Sequence, residues 1–406
     1  MSLALVCMSH SPLLEFAGPP ADVTEAVEGA FAEARRFVAD YDPTLVVSFA
    51  PDHYNGFFYD LMPPFCIGYE ALGVGDYGTT EGPLDVPTEV AERLAQHVID
   101  ADVDVAISRR MEIDHGAIQP LEILFGGIDT VPTIPVFVNG VAKPFTRMRR
   151  IRQLGAAIGS FLAELDERVL VIGSGGLSHD PPVPQWAHAN EQQRAMLLNG
   201  RHPTAAARDA RQQRVIDTAR EFAAGRAAIR DLNPEWDRAL MATLASGDLE
   251  ALDAMTPDEM TADAGNSAHE VRTWLASFSA LAAAGSYEVA SSFYRPIPEY
   301  IAGFGVVTAA DQLSHLSGVG TLPAPLCHAA RMKQDIGPPL FVLTPVGYLI
   351  AGTLLLGLAA GFAAYLDEGP VAFFVLSMVT VGPALYLLIT GAVARGIQVA
   401  RSQGEL

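Results

Sequence analysis

Val169-Leu-Val-Ile-Gly-Ser-Gly-Gly-Leu-Ser-His179 is a short apolar run, rich in β-branched residues, that breaks into small residues and ends on a histidine. Such a run marks a strand buried on both faces of a sheet. Residues 3–8, 44–49 and 133–138 have the same character. Between these segments, residues 21–39, 88–101, 147–165 and 205–224 place apolar side chains at helical spacing. Strands alternating with helices predict an α/β fold in which a central, mostly parallel sheet is flanked by helices on both faces. From about residue 233 the pattern becomes mainly helical, over 233–246, 248–255 and 267–284, with Asn233-Pro234 and Ser267 as N-terminal signals.

The chain has 406 residues, half of them hydrophobic, and 47 acidic against 26 basic side chains give a net charge of −21. That balance excludes a nucleic-acid partner, because affinity for phosphate backbones comes from clustered Lys and Arg. Three cysteines, Cys7, Cys66 and Cys327, lie far apart without a CxxC pair, so neither a disulfide framework nor a cysteine zinc site is expected. The first residues lack the basic region of a signal peptide and read as a first strand, which puts residues 1–310 in the cytosol.

Residues 313–325 are small, polar and rich in Pro and Gly, as linkers are. The uncharged runs 340–366 and 370–394 each exceed the ~20 residues that span a bilayer core. Only Asp367-Glu368-Gly369 separates them, with Arg331 and Lys333 before and Arg395 and Arg401 after. The positive-inside rule then predicts a two-helix transmembrane hairpin with both flanks cytoplasmic. The expected organisation is a catalytic domain over 1–310, a linker over 311–339, two transmembrane helices within 340–394 and a cytoplasmic tail over 395–406, anchored at the cytoplasmic face of the cell membrane.

Three of the ten histidines, His10, His53 and His179, lie just beyond the carboxyl ends of predicted strands. Open α/β sheets place their functional crevice there, so three such histidines can converge on one site. His115 sits in a turn-like acidic context, Glu112-Ile-Asp114-His115-Gly116, where a carboxylate neighbour can tune it for proton transfer. His269-Glu270 opens a helix whose apolar stripe is Val271, Trp274, Leu275 and Phe278. Two imidazoles and one carboxylate suit a redox-active divalent iron with one face open, and His10, His53 and an acid such as Glu270 can supply them. Gly173-Ser-Gly-Gly176 fits neither a nucleophile elbow, which needs glycine where Ile172 stands, nor a dinucleotide loop, which needs it at Ser178. These glycines are expected to let the backbone turn tightly under a ligand.

Taken together, Ser9-His-Ser-Pro12, Phe49-Ala-Pro-Asp-His-Tyr-Asn-Gly-Phe-Phe58, Met62-Pro-Pro-Phe65, Asp114-His-Gly116, Gly173-Ser-Gly-Gly-Leu-Ser-His179, His269-Glu270 with Trp274, and Tyr294-Arg-Pro-Ile-Pro298 resemble the type III extradiol catechol dioxygenases, the superfamily of the protocatechuate 4,5-dioxygenase β-subunit. The resemblance spans roughly residues 1–308. It implies Fe(II) held by His10, His53 and Glu270, with His115 as general acid and His179 as base or oxygen-positioning group. It further implies extradiol cleavage by O2 of a 3-substituted catechol, such as 2,3-dihydroxyphenylpropionate or 2,3-dihydroxycinnamate, and assembly as a homo-oligomer. The hydrophobic tail departs from the family pattern. An anionic substrate needs local cations in so acidic a chain, and Arg295 in Tyr294-Arg-Pro-Ile-Pro298 is the candidate for its carboxylate.

Two other classes fit part of the pattern. A metal-dependent hydrolase would use a metal-bound hydroxide and call for zinc or two metals, whereas only one ligand set is visible. A non-catalytic membrane-tethered relative would be expected to have lost some of the five motif positions, and all are filled.

Overall fold

A computed structural model describes residues 2–311. The strands, in chain order, are β1 (Ser2–Met8), β2 (Leu45–Ala50), β3 (Phe65–Gly68), β4 (Ala71–Val74), β5 (Glu81–Pro83), β6 (Ala106–Ser108), β7 (Met111–Ile113), β8 (Thr133–Val138), β9 (Arg168–Ser174), β10 (Tyr287–Ile297) and β11 (Ala302–Asp311). The helices are α1 (Ala21–Tyr41), α2 (Thr88–Asp100), α3 (His115–Phe125), α4 (Met148–Leu162), α5 (Glu191–Asn199), α6 (Ala205–Ala223), α7 (Pro234–Ser246), α8 (Pro257–Ala264) and α9 (Val271–Ala284).

An eight-stranded sheet runs in the order β10-β11-β1-β9-β2-β8-β3-β6. Its centre, β1-β9-β2-β8, is parallel, and these are the four strands expected from the continuous apolar runs. The sheet as a whole is mixed, because β11 runs antiparallel to both β1 and β10, and β3 antiparallel to β8. The expected mostly parallel sheet is therefore corrected by a β10–β11 hairpin in a region read as helical. Successive side chains of β1 face opposite ways. Leu3, Leu5 and Cys7 enter one core with Phe49, Val171, Leu154, Ile158 and Trp274. Ala4, Val6 and Met8 enter another with Val27, Phe31, Ile118 and Ile172. Helices on both faces thus explain why the central strands are apolar throughout.

The closest helix pair is α4 on α9. A side-chain carbon at Gly155 would lie 2.2 Å from the Ala276 carbonyl oxygen, and one at Gly159 2.1 Å from that of Ala280. Only glycine admits this approach, and α9 is buried on nearly every side from Val271 to Leu281. Since Glu270 immediately precedes α9, the contact fixes its place in the site.

The transmembrane hairpin is not borne out. Among the described residues no helix is long and apolar enough to cross a membrane. A span needs ~20 apolar residues, whereas the 21-residue α1 carries Asp22, Glu25, Glu28, Glu33, Arg35, Arg36 and Asp40, and the strongly apolar α9 has only 14 residues. Residues 340–394, on which that expectation fell, lie outside the described residues. The anchoring to the cytoplasmic face of a membrane, which rested on that hairpin, has no basis among the described residues.

Gly159→Ala is expected to destabilise the full chain by about 1–3 kcal/mol, since the clash is with backbone that cannot yield cheaply. Urea denaturation followed by circular dichroism measures this, and an unchanged midpoint would overturn the assignment of α4–α9 as the clamp.

Candidate active site

His10, His53 and His179 follow β1, β2 and β9, three adjacent strands of the parallel centre. They and His115 line one cavity at the carboxyl ends of those strands. Glu270 lies beneath it, fully buried, at the end of the 3-10 turn Ala268–Glu270. His53 Nε2 and His179 Nε2 both stand 3.1 Å from Glu270 Oε1, and His10 Nε2 is 3.5 Å from Oε2. The Gly176 amide donates to Oε2 at 3.0 Å. Burial alone would push the Glu270 carboxyl up, but His179, His53 and His10 outweigh it and hold it well below the usual carboxylate range. The glycines after β9 serve a purpose other than the expected turn under a ligand. A side-chain carbon at Gly175 would meet the Glu270 carbonyl at 2.7 Å, and one at Gly176 would meet the His179 ring at 2.7 Å.

The far nitrogen of each ring is tied down. His179 Nδ1 donates to the Leu177 carbonyl at 3.0 Å, so its Nε2 is the nitrogen turned to Glu270. His53 Nδ1 donates to Asp114 Oδ2 at 3.1 Å. Burial pulls the His53 ring down, but Asp114 and Glu270 overcome it and raise its pKa well above the ordinary value. His10 Nδ1 lies 2.9 Å from Ser174 Oγ. Pro120, inside α3, has no N–H to offer the Gly116 carbonyl, and Ser174 Oγ donates to that carbonyl instead. With its proton so used, Ser174 Oγ accepts from His10 Nδ1–H, which leaves the Nε2 lone pair facing Glu270. Burial pushes His10 down to about 3, so the ring is neutral.

A lone pair directed at a carboxylate oxygen calls for a cation between them. Ligands about 2.1 Å from one ion at right angles stand roughly 3 Å apart, close to the 3.1 and 3.5 Å separations here. Two imidazoles and one carboxylate at these separations fit a divalent metal. Ligand-type nitrogens of His10, His53 and His115 also lie within 4.8 Å of one another.

His115 occupies a different setting from the turn expected of it. It opens α3, whose N-cap is Asp114, accepting from Gly116 N. Asp114 also accepts from His53 N at 2.7 Å and from Asn55 Nδ2 at 2.9 Å, so it joins the helix start to the loop after β2. The His115 ring stacks on His53, with centroids 4.5 Å apart. Its carboxylate partner is Asp76, which accepts from His115 N at 2.8 Å and from Nδ1 at 2.6 Å. Sequence reasoning missed Asp76, which lies 39 positions away. It is brought close because β4 and β7 pair in parallel, so the residues just past their ends are neighbours. With Nδ1 committed to Asp76, Nε2 is the atom free to exchange a proton.

Arg295 is not brought to this cavity. Its guanidinium binds Asp22 Oδ2 at 2.6 Å and the Asp22 carbonyl at 3.3 Å, while the cavity is lined by Arg211 and Arg214 of α6.

A buried cluster of imidazoles and carboxylates at the mouth of a parallel sheet, fitted to a metal and flanked by a proton-exchanging histidine, defines a metal-dependent oxidoreductase or hydrolase. The family described as the catalytic LigB subunit of aromatic ring-opening dioxygenase matches residues 4–305, and the chain belongs to that family. Similar proteins include the 2,3-dihydroxyphenylpropionate/2,3-dihydroxicinnamic acid 1,2-dioxygenases of Rhodococcus rhodochrous, 62% identical over 310 residues, and of Rhodococcus globerulus, 60% identical over 309. Each alignment covers 76% of this chain and 98% of the relative. That of Rhodococcus jostii (strain RHA1) is 55% identical, with the same coverage. The chain is therefore a metal-dependent ring-cleaving dioxygenase acting on a catechol, and neither the hydrolase nor the non-catalytic reading is sustained.

Asp76→Asn keeps the shape but removes a carboxylate acceptor from His115. Turnover of a catechol is expected to fall roughly 10- to 100-fold, part of the ~10²–10⁴ that a positioned proton-transfer group contributes. Oxygen-electrode rates on folded variant measure this, and an unchanged rate would deny Asp76 any role in orienting the ring.

Proposed function

We propose that the chain opens the ring of 3-(2,3-dihydroxyphenyl)propionate or of the 2,3-dihydroxycinnamate analogue beside its diol, with His10, His53 and Glu270 holding Fe(II). The observation that carries the metal assignment is the convergence of three histidine Nε2 atoms on the buried Glu270 carboxylate, with the other nitrogen of each ring hydrogen bonded. The names of the relatives support the substrate class. Bound Fe(II) would supply a redox-active centre with open positions, which side chains alone do not offer to O2.

The protein groups divide the remaining work. His179, fixed through Nδ1 by the Leu177 carbonyl, presents Nε2 to take a proton from a catechol hydroxyl. Removing that proton leaves negative charge on the diol, which a divalent cation held by His10, His53 and Glu270 would stabilise. His115 presents the Nε2 opposite its Asp76 contact, the atom that would hold and deliver a proton to an oxygen of the reacting substrate. His53 stacks on His115 and also faces Glu270, so it joins the proton-delivering ring to the carboxylate. Pro12, Leu13, Pro181, Val183 and Met196 line the cavity and exclude water from the aromatic ring.

The test loads the full chain anaerobically with Fe(II), adds 3-(2,3-dihydroxyphenyl)propionate and then O2. Stoichiometric O2 uptake with a yellow ring-opened product is expected. His115→Ala and His179→Ala should each lower the rate by ~10²-fold or more, and Glu270→Gln should lower metal content itself. No uptake from a chain that holds iron would overturn the substrate reading, and full metal occupancy in Glu270→Gln would overturn the ligand set.

A further inference from the structure

α6 lies across the mouth of the cavity, and its arginines divide into two kinds. Arg208 donates to the Val74 carbonyl at 2.7 Å, and Arg211 to the Tyr54 carbonyl at 3.1 Å and to Asn55 Oδ1 at 2.5 Å. Gln212 accepts from Tyr77 N at 2.8 Å. These contacts fasten the helix to the loops after β2 and β4, which bear His53 and Asp76. Arg214 lies three residues beyond Arg211 and so on the same helix face. It lines the cavity with Arg211 and Val215, is exposed, and makes no side-chain hydrogen bond or ion pair among the described residues. Of the acids of α6, Asp217 pairs with Arg220 and Gln213 and Glu221 with Arg226, while Asp209, five positions before Arg214, forms no ion pair with it.

An unpaired guanidinium at the edge of a cavity walled by Pro181, Pro182, Val183 and Met196 matches a ligand with an apolar body and one anionic end. Ligand pockets take their specificity from such isolated polar groups. A guanidinium offers a planar fork that grips a carboxylate through two parallel hydrogen bonds. In a chain of net charge −21, an anion gains nothing from the overall field and depends on the cation at the entrance. We infer that Arg214 binds the side-chain carboxylate of the catechol substrate and is the residue that selects acids over neutral catechols, while Arg211 positions the helix that presents it. The assignment rests on the phenylpropanoid reading given above.

The test compares 3-(2,3-dihydroxyphenyl)propionate with 3-propylcatechol, which has a side chain of similar length and no charge, on the iron-loaded full chain. Arg214→Ala is expected to raise KM for the acid roughly 10- to 100-fold, the range for losing one charge-assisted hydrogen-bonded pair, with kcat changed far less and with 3-propylcatechol unaffected. The anaerobic dissociation constant of the acid should rise by the same factor. Arg214→Lys should recover part of the loss, and Arg295→Ala should leave both substrates unchanged. Equal effects of Arg214→Ala on both substrates, or none on the acid, would overturn the assignment while leaving the phenylpropanoid reading intact. A wild-type chain that showed no preference for the acid would overturn both.

Discussion

Glu270 is the buried charge around which the other groups are ordered. Removing a carboxylate from water costs several kcal/mol, and here it is kept ionised by imidazoles delivered from three separate strand ends and by the Gly176 amide. None of these partners is adjacent to Glu270 in sequence, so the arrangement exists only when the sheet, α9 and the loop after β9 are all in place. The close packing of α4 on α9 through Gly155 and Gly159 is therefore part of the chemistry, because it sets where α9 begins.

Around that carboxylate the protein assigns each nitrogen one task. Ser174, Asp114, Leu177 and Asp76 each take the Nδ1 of one histidine. Four rings thereby turn their Nε2 atoms toward a common space. His10, His53 and His115 are one another's ring neighbours, and carboxylates stand behind two of them, Asp114 behind His53 and Asp76 behind His115.

Much of this was legible in the sequence, for reasons that can be named. The runs at 3–8, 44–49, 133–138 and 169–172 became β1, β2, β8 and β9 because strands covered on both faces leave no polar interruption. Histidines just past three of them fell at the sheet's functional end for the same topological reason. The β10–β11 hairpin escaped because β10 holds Ser291, Ser292 and Pro296 with a register shift near Val289, while β11 is built largely of small residues, so neither shows clean strand periodicity. α3 escaped because Gly116 and Pro120 both argue against a helix, and with α3 went the N-cap role of Asp114. Asp76 and Arg214 carry no local signal at all; strand pairing brings Asp76 to His115, and the docking of α6 brings Arg214 to the cavity. The apolar C-terminal runs suggested a membrane hairpin, yet among the described residues the helices are either charged or too short to span a bilayer.

Pro120 gives the fold a trade that composition alone would hide. In an ordinary helix the residue at that place would bond the Gly116 carbonyl, and α3 would be the stronger for it. Any such residue would compete with the Ser174 hydroxyl, let it rotate, and leave His10 free to swap the proton between its two nitrogens. A substitution that looks like a repair of the helix would thus gain stability and blur the protonation state of a side chain 110 positions earlier, so selection for a firmer helix and selection for a defined site pull against each other at one residue.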